Sequence, residues 1–301
     1  MKKNFFLILL TVLTNCVSAQ DVNKKEESYK NYFFNVYKAD SLFFAGKNKE
    51  SYKILDDLFS KYESKNGFTT SEYLTYLKSK VNSGKKIRKN ELECYFSNHG
   101  GIKDIIINDS LLNIYYDKYK LGREYDSLRK VYMKKIDLNL RLKIASLIED
   151  DQYYRTYYDK ADKEEKLMKI DLKNEKILKD LFLKKIYPNE FVIGNHLIDF
   201  EIINPEVLLL HTNEKIRKNF FLPKVKDFVL NGVCSPFVYA RMVDQMYLYS
   251  GKPQIYGTYN TPFLKKEDYA FYNKNRKELN IGLPSVEYDI WKYHKMNKLF
   301  K

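Results

Sequence analysis

Leu140, Ile144, Leu147 and Ile148 recur at helical spacing, the mark of an α-helix with one apolar face. The next places on that face belong to Asp151, Arg155 and Tyr158. A charge on a core-facing stripe is costly unless it is paired or put to use. The interruption occurs twice more: His211 follows Val207 and Leu208 at four and three residues, and Asp244 lies seven residues after Phe237 and four before Leu248. The pattern predicts a helical chain with a polar cluster inside its C-terminal half. Low Gly and Pro counts, 11 and 7 in 301 residues, agree with a mainly all-α fold, and no stretch alternates as a strand does.

Residues 1–19 read as a secretory signal rather than as fold. Lys2 and Lys3 form a basic start, Phe5 to Leu13 an apolar run, and Val17-Ser18-Ala19 a small-residue cleavage site before Gln20. The apolar run is too short to span a bilayer, so no transmembrane span is expected once the signal is removed. The chain is therefore expected outside the cytoplasm, periplasmic or extracellular. Leu13-Thr14-Asn15-Cys16 also resembles a lipoprotein box, with Asn15 a poor residue before an acylated Cys16.

The formal charge of +14 comes from lysines dispersed along the chain, with acids interleaved at Asp56-Asp57, Glu149-Asp150-Asp151 and Glu164-Glu165. That distribution describes a solvated surface, not a nucleic-acid site. The partners expected are an envelope protein, a peptide or a polar saccharide. Cys94 and Cys234 are too few for a disulfide framework and read as buried small hydrophobes, although a bridge between them stays open. His99, His196, His211 and His294 show no metal-ligand spacing, so no metal and no cofactor is expected.

From about Ser28 the chain reads as helix, turn, helix. The first helix ends at Gly46, and Ser51 to Tyr62 makes its partner. Thr69 and Glu72 have capping-box spacing before a helix reaching Asn82, another short helix runs to Asn98, and Asp109 caps a third through Leu121. Lys38 to Lys47 followed by Ser51-Tyr52 resembles one tetratricopeptide unit, and residues 71–120 resemble a degenerate continuation. That resemblance implies tetratricopeptide-like hairpins over 20–136, serving either as a partner-binding groove or as a spacer, packed on a C-terminal helical domain over 137–301. No Pro/Gly linker marks the boundary near Arg123 to Asp137, so helices are expected to run on there. Further on, a charged helix is expected over Asp162 to Ile186. Asn204-Pro205 should start a helix bearing His211, and Ser235-Pro236 one bearing Asp244 that Gly251 closes.

Asp151-Gln152-Tyr153-Tyr154-Arg155, His211-Thr212-Asn213, Asp244-Gln245 and Gly251-Lys252-Pro253-Gln254-Ile255-Tyr256-Gly257-Thr258 together resemble an uncharacterised family of bacterial domains of unknown function. Asn275-Arg276 and Gly282-Leu283-Pro284 fit as well, and the likeness covers roughly residues 140–290. Gln245 departs from it by standing where that family has arginine, and Tyr259 by standing where glutamine is usual. The resemblance implies a shared domain and supplies no activity.

The residues allow a limited chemical reading. Asp151 and Arg155 are four apart and can pair across one helical turn, aiming the guanidinium at a carboxylate or phosphate or simply fixing helix packing. His211 is either a satisfied core histidine or an acid/base oriented by a carboxylate, with Asp244 the first candidate partner and Asp151 the second. Were residues 252–258 extended, Gln254, Tyr256 and Thr258 would share one side and suit a polyhydroxylated or peptide ligand, with Lys252, Gln152 and Arg155 as further contacts. Otherwise their side chains tie the loop down. No nucleophile motif and no phosphate-binding glycine loop is present. Three functions remain: a binding domain, a metal-independent envelope hydrolase or transferase using His211, or a purely structural cluster.

Overall fold

The computed structural model describes residues 29–62 and 69–299; the expected signal segment, the polar leader and Cys16 lie outside them. Among the described residues the regular structure is helical, with no strand, and no helix is long and apolar enough to cross a membrane.

Helices α1 (Tyr29–Phe44) and α2 (Asn48–Lys61) form the expected hairpin. Gly46 takes a positive φ of 76°, and the Lys47 amide donates back to the Leu42 carbonyl at 2.8 Å, which closes α1 as a C′ glycine does. The buried Ser51 hydroxyl donates to the Ala39 carbonyl at 2.8 Å and ties the two helices together. Helix α3 (Thr69–Asn82) packs on both. Glu72 also reaches outside its own helix, its carboxylate accepting from the Tyr32 phenol of α1. Next come α4 (Lys89–Ser97), α5 (Lys103–Ile107) and α6 (Ser110–Lys118), the last capped by Asp109, which accepts from the Leu111 and Leu112 amides at 3.2 and 3.1 Å.

The helices do not run on across the expected boundary. Helix α7 (Tyr125–Met133) folds back on α4, and Asp137 then caps a new helix by accepting from the Leu140 amide at 2.8 Å. A carboxylate at that place satisfies amides that have no intrahelical partner, so it restarts the helix. That helix, α8 (Leu138–Thr156), packs on α9 (Lys163–Leu183). The buried Arg141 of α8 then fastens the following loop, with Asp199 at 2.5 and 3.0 Å and the carbonyls of Ile193, Gly194 and Glu201.

Beyond α10 (Glu190–Ile193), the helix expected to bear His211 is shorter than the sequence suggests. Helix α11 (Glu206–Leu210) ends one residue before it, because Asn213 caps the next helix, α12 (Glu214–Ile216). A π-helical turn, Arg217–Phe221, joins α12 to α13 (Leu222–Leu230). The Leu222 amide bonds back five residues to the Arg217 carbonyl, and Pro223 has no amide for the ordinary bond to residue 219. Ser235 caps α14 (Pro236–Tyr249), and α15 (Tyr269–Leu279) and α16 (Val286–Leu299) complete the chain.

One apolar core runs through both halves. Tyr32, Leu55, Leu77 and Phe96 belong to it from the N-terminal side, and Phe182, Phe221, Val225 and Met242 from the C-terminal side. The last helix returns to the first: Tyr288 and Lys292 donate to Asp40 of α1 at 2.6 and 2.9 Å. The scaffold beneath the site is therefore built from the whole chain.

Candidate functional site

Asp151 is fully buried near the end of α8, and three donors converge on it. The Nδ1 of His211 lies 3.0 and 2.9 Å from its two oxygens, Arg155 Nε donates at 3.2 Å, and Gln152 Nε2 donates at 2.7 Å. Burial pushes the Asp151 carboxyl upward, but the His211 bond and charge, then Arg155 and Gln152, outweigh it and hold the group below its ordinary value. Asp151, not Asp244, is thus the partner of His211. Its neighbour Asp150 faces outward to Lys173 at 3.2 Å, as expected of adjacent residues on a helix. Gln152, expected to meet ligand, holds Asp151 instead.

Two of these groups, His211 and Arg155, reach an open cleft of about 460 Å³. Arg155 and His211 line it together with Asp171 of α9, Thr212, Arg217 and Tyr249. Arg155 bridges Asp151 and Asp171 through Nε and Nη2. Burial raises the Asp171 carboxyl above its ordinary value, against the pull of Arg155. The Thr212 hydroxyl donates to the Leu209 carbonyl at 2.7 Å, so it is engaged within the fold. A carboxylate that accepts from Nδ1–H leaves the Nε2 lone pair of His211 for an incoming group.

Arg217 went unnoticed in the sequence, where no apolar stripe marks it out. It stands in a mostly polar run, Asn213 to Asn219, in which Ile216 is the one apolar residue, ahead of Phe220-Phe221-Leu222. Its side chain is 5 % exposed. Nη1 donates to the Leu210 carbonyl at 2.7 Å and to the Gln245 amide oxygen, while Nε is buried without a partner. Gln245 is thus in contact with an arginine supplied by the π-turn.

The most motif-like segment answers to a different design. Asp244, fully buried, accepts from the amides of Ile255 and Tyr256 at 2.8 Å each, and from the amide and hydroxyl of Thr258 at 2.9 and 2.7 Å. From the other side, Asn275 and Arg276 donate to the carbonyls of Ile255, Tyr256 and Gly257. Gln254 is spent on Tyr259, accepting from its amide at 2.7 Å and donating to its carbonyl at 3.0 Å. The expectation that Gln254 and Thr258 face a ligand is therefore corrected: both tie the loop to itself and to α14. Tyr256 is half-buried with its backbone held at both ends, and Lys252 is exposed on the surface. None of these four lines the cleft.

Cys94 and Cys234 form no disulfide, and burial pushes both thiols upward. Among the described residues no group of three or more His, Cys, Asp or Glu side chains is placed to hold a metal ion. A second cavity of about 520 Å³ lies in the N-terminal half, where His99 stacks on Tyr73 with ring centroids 4.2 Å apart. Burial and then Lys135 lower the His99 pKa to about 4, so that ring is neutral near pH 7.

No family model matches this chain, and comparison with curated proteins and with solved structures finds no significant match. The functional reading rests on geometry.

Proposed function

We propose that this is an exported helical protein whose C-terminal half binds a polar ligand in the cleft over Asp151, His211 and Arg217. One observation carries the reading: an open cleft lies over a charge cluster whose donors and acceptors are not all satisfied from within. Clefts with a few convergent polar groups on a rigid frame are the usual form of small-ligand sites. The signal-like segment supports export, and the tetratricopeptide-like hairpins support a second, partner-facing role for the N-terminal half. In the resembled family's terms, Arg217 supplies the cation that Gln245 lacks.

A second reading is favoured by the Asp151–His211 pair. A buried carboxylate on Nδ1 fixes the tautomer and the orientation of the ring, the arrangement a general acid/base needs. This supports a metal-independent envelope hydrolase or transferase acting through water. Gln254, the substrate contact first expected for such an enzyme, is engaged elsewhere in the fold.

Histidine-selective nitrogen-15 labelling tests the binding reading. Four pairs of ring signals are expected, from His99, His196, His211 and His294. Titration with a panel of envelope saccharides, short peptides and small acids should move the His211 signals first. A ligand that moves His99 and leaves His211 untouched would transfer the site to the N-terminal cavity.

A further inference from the structure

Three arginines are buried among the described residues, and they divide two to one. Arg141 uses all three guanidinium nitrogens, with Asp199 as counter-ion and three carbonyls besides. Arg276 also uses all three, with Asp289 at 2.6 Å and the carbonyls of Tyr256, Gly257 and Pro284. Arg217 has no carboxylate partner and bonds through Nη1 alone. Its Nε–Nη2 edge, the edge with which guanidinium groups bind carboxylate or phosphate side-on, makes no hydrogen bond within the protein.

A buried cation without a counter-ion is a standing cost to the fold. Of the nearby acids, the exposed Glu214 offsets part of that cost through its charge but makes no hydrogen bond to Arg217. Asp151 is engaged by His211 and Arg155, and Asp171 by Arg155. Arg217 nonetheless lines the cleft. It is delivered there by a π-helical turn, a local departure from α-helix that is often kept at functional sites.

We propose that Arg217 is the oxyanion-binding residue of the cleft, and that the ligand carries a carboxylate or phosphate group. The assignment rests on the binding reading above and names the class of molecule that enters. The bound oxyanion takes the unpaired guanidinium edge and supplies a bonded counter-ion, while the outward nitrogen of His211 meets a second polar group of the same ligand. The surplus of positive charge on the chain, +14, favours the approach of anions.

The test compares sodium phosphate, sodium succinate and neutral trehalose as probes, at ionic strength matched with sodium chloride. Binding to the full chain is read by calorimetry and by the His211 ring signals. Phosphate or succinate should bind the parent, and Arg217→Met should weaken that binding roughly tenfold or more, as loss of a charge-assisted bidentate contact does. Response to phosphate alone assigns a phosphate ligand, and response to succinate alone a carboxylate. Arg217→Met should melt at or above the parent temperature, because the unpaired charge is gone. If that variant fails to fold, Arg217→Lys, which keeps the charge and loses the fork, should fold and show intermediate binding; full parental affinity there would overturn the proposal. A lower melting temperature with unaltered anion binding would make Arg217 a structural residue. Trehalose moving His211 while neither anion does would overturn the oxyanion assignment and leave the cleft reading intact; silence from all three probes counts against both.

Discussion

Asp151 and Asp244 are both fully buried aspartates on the apolar faces of helices, and they serve opposite ends. Asp244 is saturated by three backbone amides and a hydroxyl, all from one loop, and that loop is held again from behind by Asn275 and Arg276. Every donor there is local and fixed. Around Asp151 the donors are side chains, two of which, His211 and Arg155, also face a cleft, and beside them stands an arginine with one edge unused. A closed polar network stabilises a shape, whereas an open one keeps groups available at a cost in stability. The difference separates the part of the polar cluster that builds the protein from the part that faces a ligand.

The sharpest way to break the comparison is to remove each aspartate. Asp244→Ala leaves three buried amides without an acceptor, and urea unfolding should show a loss of about 3–5 kcal/mol, large for one substitution. Gly257→Ala should cost about 1–2 kcal/mol, because φ is +63° and an added Cβ would come within 3.0 Å of the Leu264 and Tyr272 side chains. A Gly257→Ala protein as stable as the parent would mean that the loop is not rigidly held.

The two sides of neutrality should respond to different residues. Asp151 is held below its ordinary value of 3.8, so its contribution is present above that pH and is lost as pH falls through the lower folded value. Melting curves of Asp151→Asn should lose part of the acid-side decline. Glu72 and Glu190 behave oppositely: burial raises both carboxyls from 4.5 to about 7. The folded state keeps protons there that the unfolded chain has released, so this stability is full below 4.5 and is lost as pH rises through about 7. Glu72→Gln and Glu190→Gln should each flatten that alkaline decline and leave the acid side unchanged.

The helical class, the hairpin at Gly46 and the caps at Asp109 and Ser235 were legible because they depend on local period and local hydrogen bonding. Asp151 was legible as well, as a charge where the stripe demands an apolar residue. Its partner was not. His211 and Asp244 share a spacing pattern with the core, but which aspartate the ring meets is decided by how α11 packs on α8 and α9, a contact between segments some sixty residues apart. The loop at 252–258 misled for a related reason. Alternating polar side chains describe a ligand face only if the backbone is extended, and Asp244 folds these residues around its own carboxylate. Arg217 escaped notice because it sits in a mostly polar run, with no apolar stripe for it to interrupt.

The most direct measurement is the melting temperature of His211→Ala beside the parent at neutral pH. Asp151 keeps Arg155 and Gln152 as donors in that variant but loses the bond that does most to hold it ionised, so the expected loss is no more than about 1 kcal/mol. A drop of several degrees would contradict it, placing His211 with Asp244 among the residues that hold the fold together and closing the cleft as a site kept for a ligand.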